Sequence, residues 1–581
     1  MSGEVRSLGG VPIPVDRRKL NLLFWLLGGS LVFYLVFFND APVPLARLGE
    51  SLALVVAILL PSWLWVSNRS QGLPMFPLYA LSFFPTYAVP LCRGDSRFVQ
   101  YTEQEIANAV FTIVGYLLLA TLVWWQCTNR NLSPPEKVRA VLPHGARQVM
   151  VWLLVGGLVF ELFGRLAGEG LGGVYQALRG YAQNGSRLAV FVLFYQMGRG
   201  ELSKGMTIFV CALAGALLVR QAASIVMASA FPVLGLAFAG FFLGSGRVPW
   251  KSLLSTVAIV VVLHSGKAEM RSIYYQKGVQ VGLLDYPMFF ADWIQKGVYG
   301  LAQGKTAEGQ EVQSAKERAA LMPLMLRIQK MTPTQVPYLD GASYEKLPSM
   351  LVPRIITKDK AVAHISNMIM AVHYGVLKLE DVWGTSIAFD LPMEAYANYG
   401  YLGVAGLALA MGLFLGFITL STTGVPLLSF RFLLAILILA ALISSNNTMG
   451  VYVTTAWQGF LALLTLSLLI MKTIPNPLYA KPVALRKMGD GRSPQPQRAG
   501  GWATATPSEI ERAEGSSGRV AEGGRSPSTQ GLGGREAPVA GPTSLQTSPT
   551  REELRRVEDE AAPAKHGRPQ RFIYKKGEKR G

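Results

Sequence analysis

The chain has 581 residues, of which 50% are hydrophobic and only 16% are charged, and its mean hydropathy is +0.31. Soluble globular proteins carry roughly 25% charged residues, so this composition excludes an ordinary soluble protein. The formal charge of +19 does not indicate nucleic-acid binding, because much of the excess Lys and Arg lies in short loops and the C-terminal tail, and no DNA- or RNA-binding motif is present.

Long apolar segments follow one another from the N-terminus. Leu20–Phe38 is long enough to cross a hydrocarbon core of roughly 30 Å as a helix. It is too long for the apolar core of a cleavable signal peptide, and no small-x-small cleavage site follows it. The pattern predicts an all-α polytopic integral membrane protein with about twelve transmembrane helices, near residues 20–38, 50–67, 72–90, 105–125, 148–167, 184–199, 205–220, 222–244, 251–266, 397–420, 426–446 and 450–471.

The distribution of Lys and Arg predicts the orientation of these helices. Residues 1–19 end in three cations and are expected in the cytoplasm, followed by a membrane domain of about nine helices at 20–266. Residues 397–471 supply the last three helices, and an even number of crossings returns the chain to the cytoplasm. Residues 472–581 are rich in Pro, Gly, Ser, Glu and Arg, which predicts a disordered cytoplasmic tail. Its basic end either contacts anionic membrane lipids or is simply solvated.

The segment at 267–396 is far longer than a usual connection and is predicted to lie outside the cytoplasm, before the tenth helix. Within it, Ala307–Met331 has apolar residues at near-helical spacing, which predicts an amphipathic helix that lies on the membrane or caps the bundle. The tripeptide Leu339–Gly341 indicates a turn. Long structured loops are often functional, so we expect the active site here.

Four basic side chains, Arg354, Lys358, Lys360 and His364, lie close together in this loop. Because the loop is predicted to be external, the positive-inside rule does not explain them. One explanation is that they pair with Asp359 or with lipid headgroups. The other is that they bind an anionic substrate, since Arg offers phosphate a bidentate fork and Lys a point charge.

Two motifs in residues 325–420 carry a resemblance to a known family. The first is VPYLDGASYEKLPSMLVPRIITKDK, and the second is TSIAFDLPMEAYANYGYLGVAGLALAMG. Together they resemble the Wzy-type oligosaccharide repeat-unit polymerases of O-antigen and exopolysaccharide biosynthesis. The residues on the family pattern are Tyr338, Gly341, Tyr344, Pro353, Arg354, Lys360, Glu394, Tyr396, Asn398, Tyr399, Gly400 and Gly403. The family usually has Trp-Pro before its Lys and Pro after it, whereas this chain has Thr357, Lys358 and Ala361.

The resemblance implies a metal-independent glycosyltransferase with no cofactor, in the bacterial inner membrane. Such an enzyme joins oligosaccharide repeat units carried on polyprenyl diphosphate at the outer, periplasmic face. Its partners are these lipid-linked glycans, membrane lipids, and a chain-length regulator and flippase of the same pathway. The leaving diphosphate needs cations, so Arg354 and Lys360 are the expected catalytic residues, and Lys358 can share the work of Lys360.

Glu394 is the third expected catalytic residue. It either deprotonates the acceptor hydroxyl, holds Arg354, or is a helix-start charge favoured by the dipole. The expected substrate-binding residues, besides Lys358, are Tyr338, Tyr344, His364, His373, Tyr396, Asn398 and Tyr399. The aromatic ones otherwise form an interfacial belt, and the two histidines are acid or base candidates at a spacing that does not suit a metal.

Three other readings of the chain remain open. An O-antigen ligase uses the same donor but another acceptor. A lipid-linked oligosaccharide flippase also has about twelve helices, but it needs charged cavities within the membrane, and charges within the predicted helices are sparse. A scaffolding membrane protein leaves the loop cations unexplained.

Overall fold

The apolar segments form helices in the computed structural model. It describes residues 17–37, 45–93, 96–130, 133–141, 143–225, 229–275, 281–303, 320–352, 361–382, 387–442 and 446–479. In these ranges, eight helices are long and apolar enough to cross a membrane: Arg18–Phe37, Leu45–Val66, Met75–Cys92, Glu103–Thr128, Lys204–Ala222, Trp250–Tyr274, Leu391–Ser421 and Met449–Ile470. The prediction of an α-helical membrane protein is therefore confirmed, while the number of twelve crossings stays a prediction.

The helices of the described part, in chain order, are α1 (Arg17–Phe37), α2 (Leu45–Val66), α3 (Met75–Leu81), α4 (Val89–Arg93), α5 (Glu103–Thr128), α6 (Pro143–Gly198), α7 (Lys204–Ala222), α8 (Phe231–Ser245), α9 (Trp250–Met270), α10 (Tyr286–Gln303), α11 (Met322–Met331), α12 (Leu347–Leu351), α13 (Ile365–His373), α14 (Leu391–Ser421), α15 (Phe430–Leu442) and α16 (Met449–Ile470). A π-helical turn, Phe84–Ala88, joins α3 to α4. Two short strands, β1 (Lys137–Val141) and β2 (Met471–Pro475), complete the fold.

The long helical segment α6 doubles back on itself. A straight helix would hold Glu161 and Gln183 about 33 Å apart, yet the side-chain amide of Gln183 donates to the Glu161 carboxylate at 2.9 Å. The rings of Phe160 and Tyr175 also stack, with centroids 5.3 Å apart. The segment therefore turns between residues 161 and 175, in a glycine-rich stretch, and its two arms coincide with the predicted helices at 148–167 and 184–199.

Glycines allow neighbouring helices to approach at backbone distance. A Cβ added at Gly240 or Gly244 of α8 would collide with the carbonyl oxygens of Phe191 and Tyr195 in the second arm of α6. In a membrane, where no hydrophobic force draws helices together, such small residues permit the close van der Waals packing that replaces it.

Hydrogen bonds between loops gather alternate helix ends on one face. The Gln71 amide donates to Thr128 O at 3.2 Å, and the Leu73 amide donates to Thr422 Oγ1 at 2.8 Å. On this face β1 also pairs antiparallel with β2. These are the loops that the positive-inside pattern predicts to be cytoplasmic; that assignment of the face stays a prediction.

The remaining loops meet on the other face. The Leu321 amide donates to Thr86 O at 2.9 Å, and Lys330 Nζ donates to Gln100 O at 3.0 Å. Thr448 Oγ1, just before α16, donates to Asn367 Oδ1 at 2.5 Å. The described parts of the segment 320–390 therefore lie with the loops that were predicted to be external.

The strand pair corrects the predicted start of the disordered tail. Residues 471–475 pair with 137–141 in register from Met471–Val141 to Pro475–Lys137. Beyond the strand, Asn476 Nδ2 donates to Pro135 O and to Gly424 O, each at 2.8 Å. The tail was predicted to start at Lys472 because the amino-acid composition changes there. Composition alone cannot reveal a strand that forms only by pairing with a distant segment. Residues 480–581 lie outside the described part of the chain.

The loop before the tenth helix also contains structure that the sequence did not predict. Helix α10 lies antiparallel to α9, with Trp293 Nε1 donating to Leu263 O at 2.7 Å. Lys296 bridges the helices through an ion pair with Glu269 at 2.9 Å.

Only part of the predicted amphipathic helix is described. It is α11, whose buried Met322 and Met325 face the bundle, and Gln329 Nε2 donates to Thr112 Oγ1 of α5 at 2.7 Å. It therefore caps the bundle, which is one of the two predicted positions.

Candidate functional site

Helix α14 is broken near its N-terminal end, on the face where the segment 320–390 lies. Tyr399 (φ −142°, ψ 20°) and Gly400 (φ 59°, ψ −145°) depart from helical geometry. The Gly400 conformation is one that residues with a side chain rarely adopt, so glycine is needed here. Backbone groups freed by such a break within a membrane must find other partners, and the break therefore marks a place where another part of the chain or a ligand enters.

The segment 338–344 supplies those partners. The Leu339 amide donates to Ala397 O at 2.9 Å, and the Gly341 amide donates to Asn398 Oδ1 at 2.9 Å. Asn398 Nδ2 donates to Glu394 O at 2.7 Å and to Ser343 Oγ at 2.8 Å. The two motifs that the sequence analysis singled out are thus in direct contact through Asn398.

The predicted turn at Leu339–Gly341 is confirmed. Asp340 (φ 47°) and Gly341 (φ 90°) both have positive φ, and the Tyr344 amide donates to Gly341 O at 2.8 Å. The side chain of Tyr399 packs over Gly341, where an added Cβ would collide with its hydroxyl. This turn holds two tyrosines, Tyr338 and Tyr344, beside the helix break.

A cavity of about 1030 Å³ opens beside the break. Its polar wall contains Tyr338, Asp340, Tyr344, Asn398 and Tyr399, four of which are predicted substrate-binding residues. Its apolar wall is formed by α14 and α16, through side chains that include Leu402, Leu407, Ala410 and Val453. The cavity therefore joins a polar aromatic end to an apolar end in the helical bundle.

Tyr344 is a hydrogen-bond donor at the polar end. Burial raises its pKa above the ordinary range, and the neighbouring Glu394 carboxylate raises it further. The phenol therefore keeps its proton at any physiological pH.

Glu394 lies one helical turn behind Asn398 and is fully buried. The helix begins at Leu391, not at 397 as predicted, so Glu394 belongs to its first turn. Its Oε2 accepts a hydrogen bond from the Met449 amide at 2.6 Å and so caps the start of α16. Its Oε1 lies near the hydroxyls of Ser343 and Ser366 without a well-formed hydrogen bond from either. Glu394 does not line the cavity.

The other predicted residues of the described chain lie around this centre. Tyr396 is buried and contacts the ring of Tyr338 edge-on, with centroids 6.5 Å apart. His373 is buried, and its Nε2–H donates to Pro337 O at 2.9 Å. Burial lowers the pKa of His373, so its ring is neutral and supports the tyrosine turn. His364 is exposed and does not line the cavity. Arg354, Lys358 and Lys360 lie outside the described residues.

Asp390, the N-cap of α14, was not among the predicted site residues. Its Oδ1 accepts from the Met393 amide at 2.9 Å, and its Oδ2 accepts from the hydroxyl of Tyr87. Burial raises the pKa of Asp390 to about 7. The tripeptide Asp-Leu-Pro at 390–392 could have indicated this helix start, because Asp is favoured as a helix N-cap and Pro in the first turn.

Asp340 was also missed as a site residue, although its turn was predicted. Among the described residues that line the cavity, it is the only acidic one. The residue is exposed. No protein-family model, curated protein or solved structure matches the chain.

Proposed function

We propose that the protein is a membrane polysaccharide polymerase that joins polyprenyl-diphosphate-linked oligosaccharide repeat units at the outer face of the inner membrane. The observation that carries this proposal is the cavity beside the broken helix, with its polar aromatic wall at one end and its apolar wall at the other. A substrate that is both sugar and lipid needs both surfaces in one site.

Each wall of the cavity suits one part of such a substrate. The rings of Tyr338 and Tyr399 offer faces and hydroxyls to sugar rings, and Asn398 offers an amide. Leu402, which is 84% exposed, and Val453 offer an apolar path for an isoprenoid chain entering from the bilayer. The volume of about 1030 Å³ lies at the upper end of the range for ligand sites, roughly 300–1,000 Å³.

The proposed reaction is a displacement at the anomeric carbon of the donor glycan. The acceptor hydroxyl oxygen forms a bond to that carbon, and the bond from the carbon to the diphosphate oxygen breaks. The departing diphosphate takes the electron pair, and we assign its stabilisation to Arg354 with Lys360 and Lys358. The chemistry needs neither metal nor cofactor, because these cations supply the positive charge.

Asp340, at the cavity mouth, is our candidate to accept the proton of the acceptor hydroxyl. Glu394 does not line the cavity, so we give it a positioning role instead. Its carboxylate holds the start of α16, and its backbone oxygen holds Asn398.

Analysis of lipid-linked glycans in a deletion strain tests the proposal. Single repeat units left on their carrier at the outer face support a polymerase. Full-length polymer left on its carrier indicates a ligase instead, and repeat units trapped at the cytoplasmic face indicate a flippase.

A matched pair of variants tests the site. Asp340→Asn should lower polymer synthesis strongly at unchanged protein abundance, because it removes the only carboxylate that the described residues supply to the cavity. Glu345→Gln removes an exposed carboxylate five residues further along that does not line the cavity, and it should leave synthesis unchanged. Equal synthesis in both variants would remove Asp340 from the mechanism.

A further inference from the structure

A second cavity, on the face that carries the strand pair, has no role in the proposed reaction. It has a volume of about 280 Å³ and lies where β1 meets α15 and α16. In the part of the chain that the structure describes, three cationic side chains line it, Lys137, Arg139 and Arg431, and no acidic one does. We call it the basic cavity.

The fold fixes the cations of the basic cavity from two parts of the chain. Lys137 and Arg139 are two apart on β1, so both point to the same, exposed side, while Val138 points into the core. Arg139 Nη2 donates to Ser467 O of α16 at 2.8 Å, which fixes the guanidinium at the cavity wall. Arg431 comes from the first turn of α15, nearly 300 residues later in the chain. In the described part of the chain, none of the three forms an ion pair with a carboxylate.

The start of α15 adds to the positive potential. Ser429 is buried and its hydroxyl oxygen accepts from the Phe432 amide at 3.4 Å, which leaves its proton free to be donated. The helix N-terminus itself carries a partial positive charge, which favours an anion. Phe430 and Leu464 complete the lining with apolar surface on the side of the transmembrane helices.

These features distinguish the basic cavity from ordinary positive-inside charge. Cations that only determine the orientation of the helices do not need to line a common cavity. Here the three cations line one small cavity together with Ser429 and the start of α15. Basic pockets between transmembrane helices at the cytoplasmic side suit lipid headgroups that carry phosphate.

We propose that the basic cavity binds a phosphate-bearing anion, with an anionic phospholipid headgroup as its source. The phosphate contacts Arg431 and the β1 cations, and the first part of the acyl chains lies on Phe430 and Leu464. The site lies at the opposite face from the broken helix and does not depend on the proposed reaction. A bound headgroup would join the linker before α6, the α14–α15 loop and the end of α16.

Titration of the purified full-length protein tests this site. Dioctanoyl phosphatidylglycerol is added in a zwitterionic detergent, and binding is followed by native mass spectrometry and thermal shift. Dioctanoyl phosphatidylcholine, which is zwitterionic and has no net charge, is the control, and inorganic phosphate is added separately as the soluble source. Wild type should bind phosphatidylglycerol and not phosphatidylcholine.

The variants are matched in charge. Lys137→Gln/Arg431→Gln should weaken phosphatidylglycerol binding roughly thirtyfold, because each cation near an anionic headgroup contributes about a factor of five. Lys204→Gln/Lys251→Gln removes two exposed cations near the same face that do not line the cavity, and should keep wild-type affinity. If the double variant fails to fold, Arg431→Gln alone replaces it and should weaken phosphatidylglycerol binding about fivefold.

Equal affinity in the cavity and control variants would overturn the proposal, and so would the absence of binding by both probes. Binding of inorganic phosphate that is lost in the cavity variant, without preference for phosphatidylglycerol, would keep the anion site and assign it a soluble ligand.

Discussion

The break in α14 depends on Gly400, and Gly400→Ala is the sharpest test of the site. At φ 59° and ψ −145° a residue with a Cβ is strained, at a cost of about 1–3 kcal/mol. An added Cβ would also lie 2.8 Å from the hydroxyl of Tyr338, a rigid side chain of the cavity wall. The substitution therefore favours a straight helix, which would displace Asn398 and close the polar end of the cavity.

The size of the effect follows from the strain. If only the broken helix is active, a shift of about 1–3 kcal/mol lowers the equilibrium constant for the broken form about 5- to 160-fold, and polymer synthesis falls by up to that factor. Gly406→Ala is the matched control: Gly406 lines the same cavity on the same helix, and an added Cβ there has nothing within 4 Å. Because Ala also favours the helix over Gly, Gly406→Ala should be neutral or slightly stabilising.

The assay compares polymer length and amount on gels, normalised to the abundance of each variant in the membrane, with the thermal midpoint in detergent. Gly400→Ala should reduce polymer more than Gly406→Ala at similar abundance. Wild-type synthesis by a stable Gly400→Ala variant, or an equal loss in both variants, would refute the role of the break.

Three further changes have defined outcomes. Arg354→Ala should lower polymer synthesis about a hundred- to thousandfold at unchanged abundance, as the loss of one transition-state donor does. Gly244→Ala should cost about 1–3 kcal/mol of stability by overpacking, because its Cβ meets the Tyr195 carbonyl. Asp390→Asn should remove the part of the pH dependence of thermal stability that comes from titration of this carboxyl group. The folded pKa of about 7 exceeds the usual 3.8, so the contribution of Asp390 to stability, about 4 kcal/mol, is fully present below pH 4 and is lost as pH rises to 7.

Each of these changes has a matched control and a contrary outcome. Arg354→Lys should recover little, because a point charge lacks the bidentate fork, and normal polymer from Arg354→Ala would remove it from the mechanism. Gly235→Ala, on the same helix as Gly244 with nothing within 4 Å of the added Cβ, should leave the thermal midpoint unchanged. Asp381→Asn, at an exposed aspartate, is the control for Asp390→Asn. An unchanged pH dependence of thermal stability in Asp390→Asn would contradict the assignment of this dependence to Asp390.

The positions of the helices were predictable because burial in lipid imposes one requirement on every crossing segment. Apolar length near 30 Å is read directly from sequence, so Met449–Ile470 lies within one residue of the predicted 450–471, and the end of Leu391–Ser421 lies within one residue of the predicted 420. The distribution of Lys and Arg among the loops then predicted which loops lie on the same face of the membrane domain. The hydrogen bond from Leu73 to Thr422 connects two loops of the set predicted to be cytoplasmic, although 349 residues separate them.

The contact between the two motifs was only partly predictable. Spacing marked Tyr338, Asn398 and Tyr399, and the structure brings them to one cavity. The spacing of the motif residues could not show that Glu394 lies outside the cavity lining, because its position depends on where the helix begins. The N-cap at Asp390 places that beginning about two turns before the predicted residue 397. The second strand was also hidden, since its pairing with β1 depends on a partner more than 300 residues away.

The strand pair has a consequence for the order in which the protein is made. β1 leaves the ribosome early, but β2 follows the last apolar helix, so every helix between them must enter the bilayer before the strands can meet. Until then the edge of β1 that β2 covers has no strand beside it and is open to the wrong strand. Closure of the pair therefore coincides with complete insertion, and a nascent chain stalled before residue 471 exposes an unpaired edge that a finished one does not.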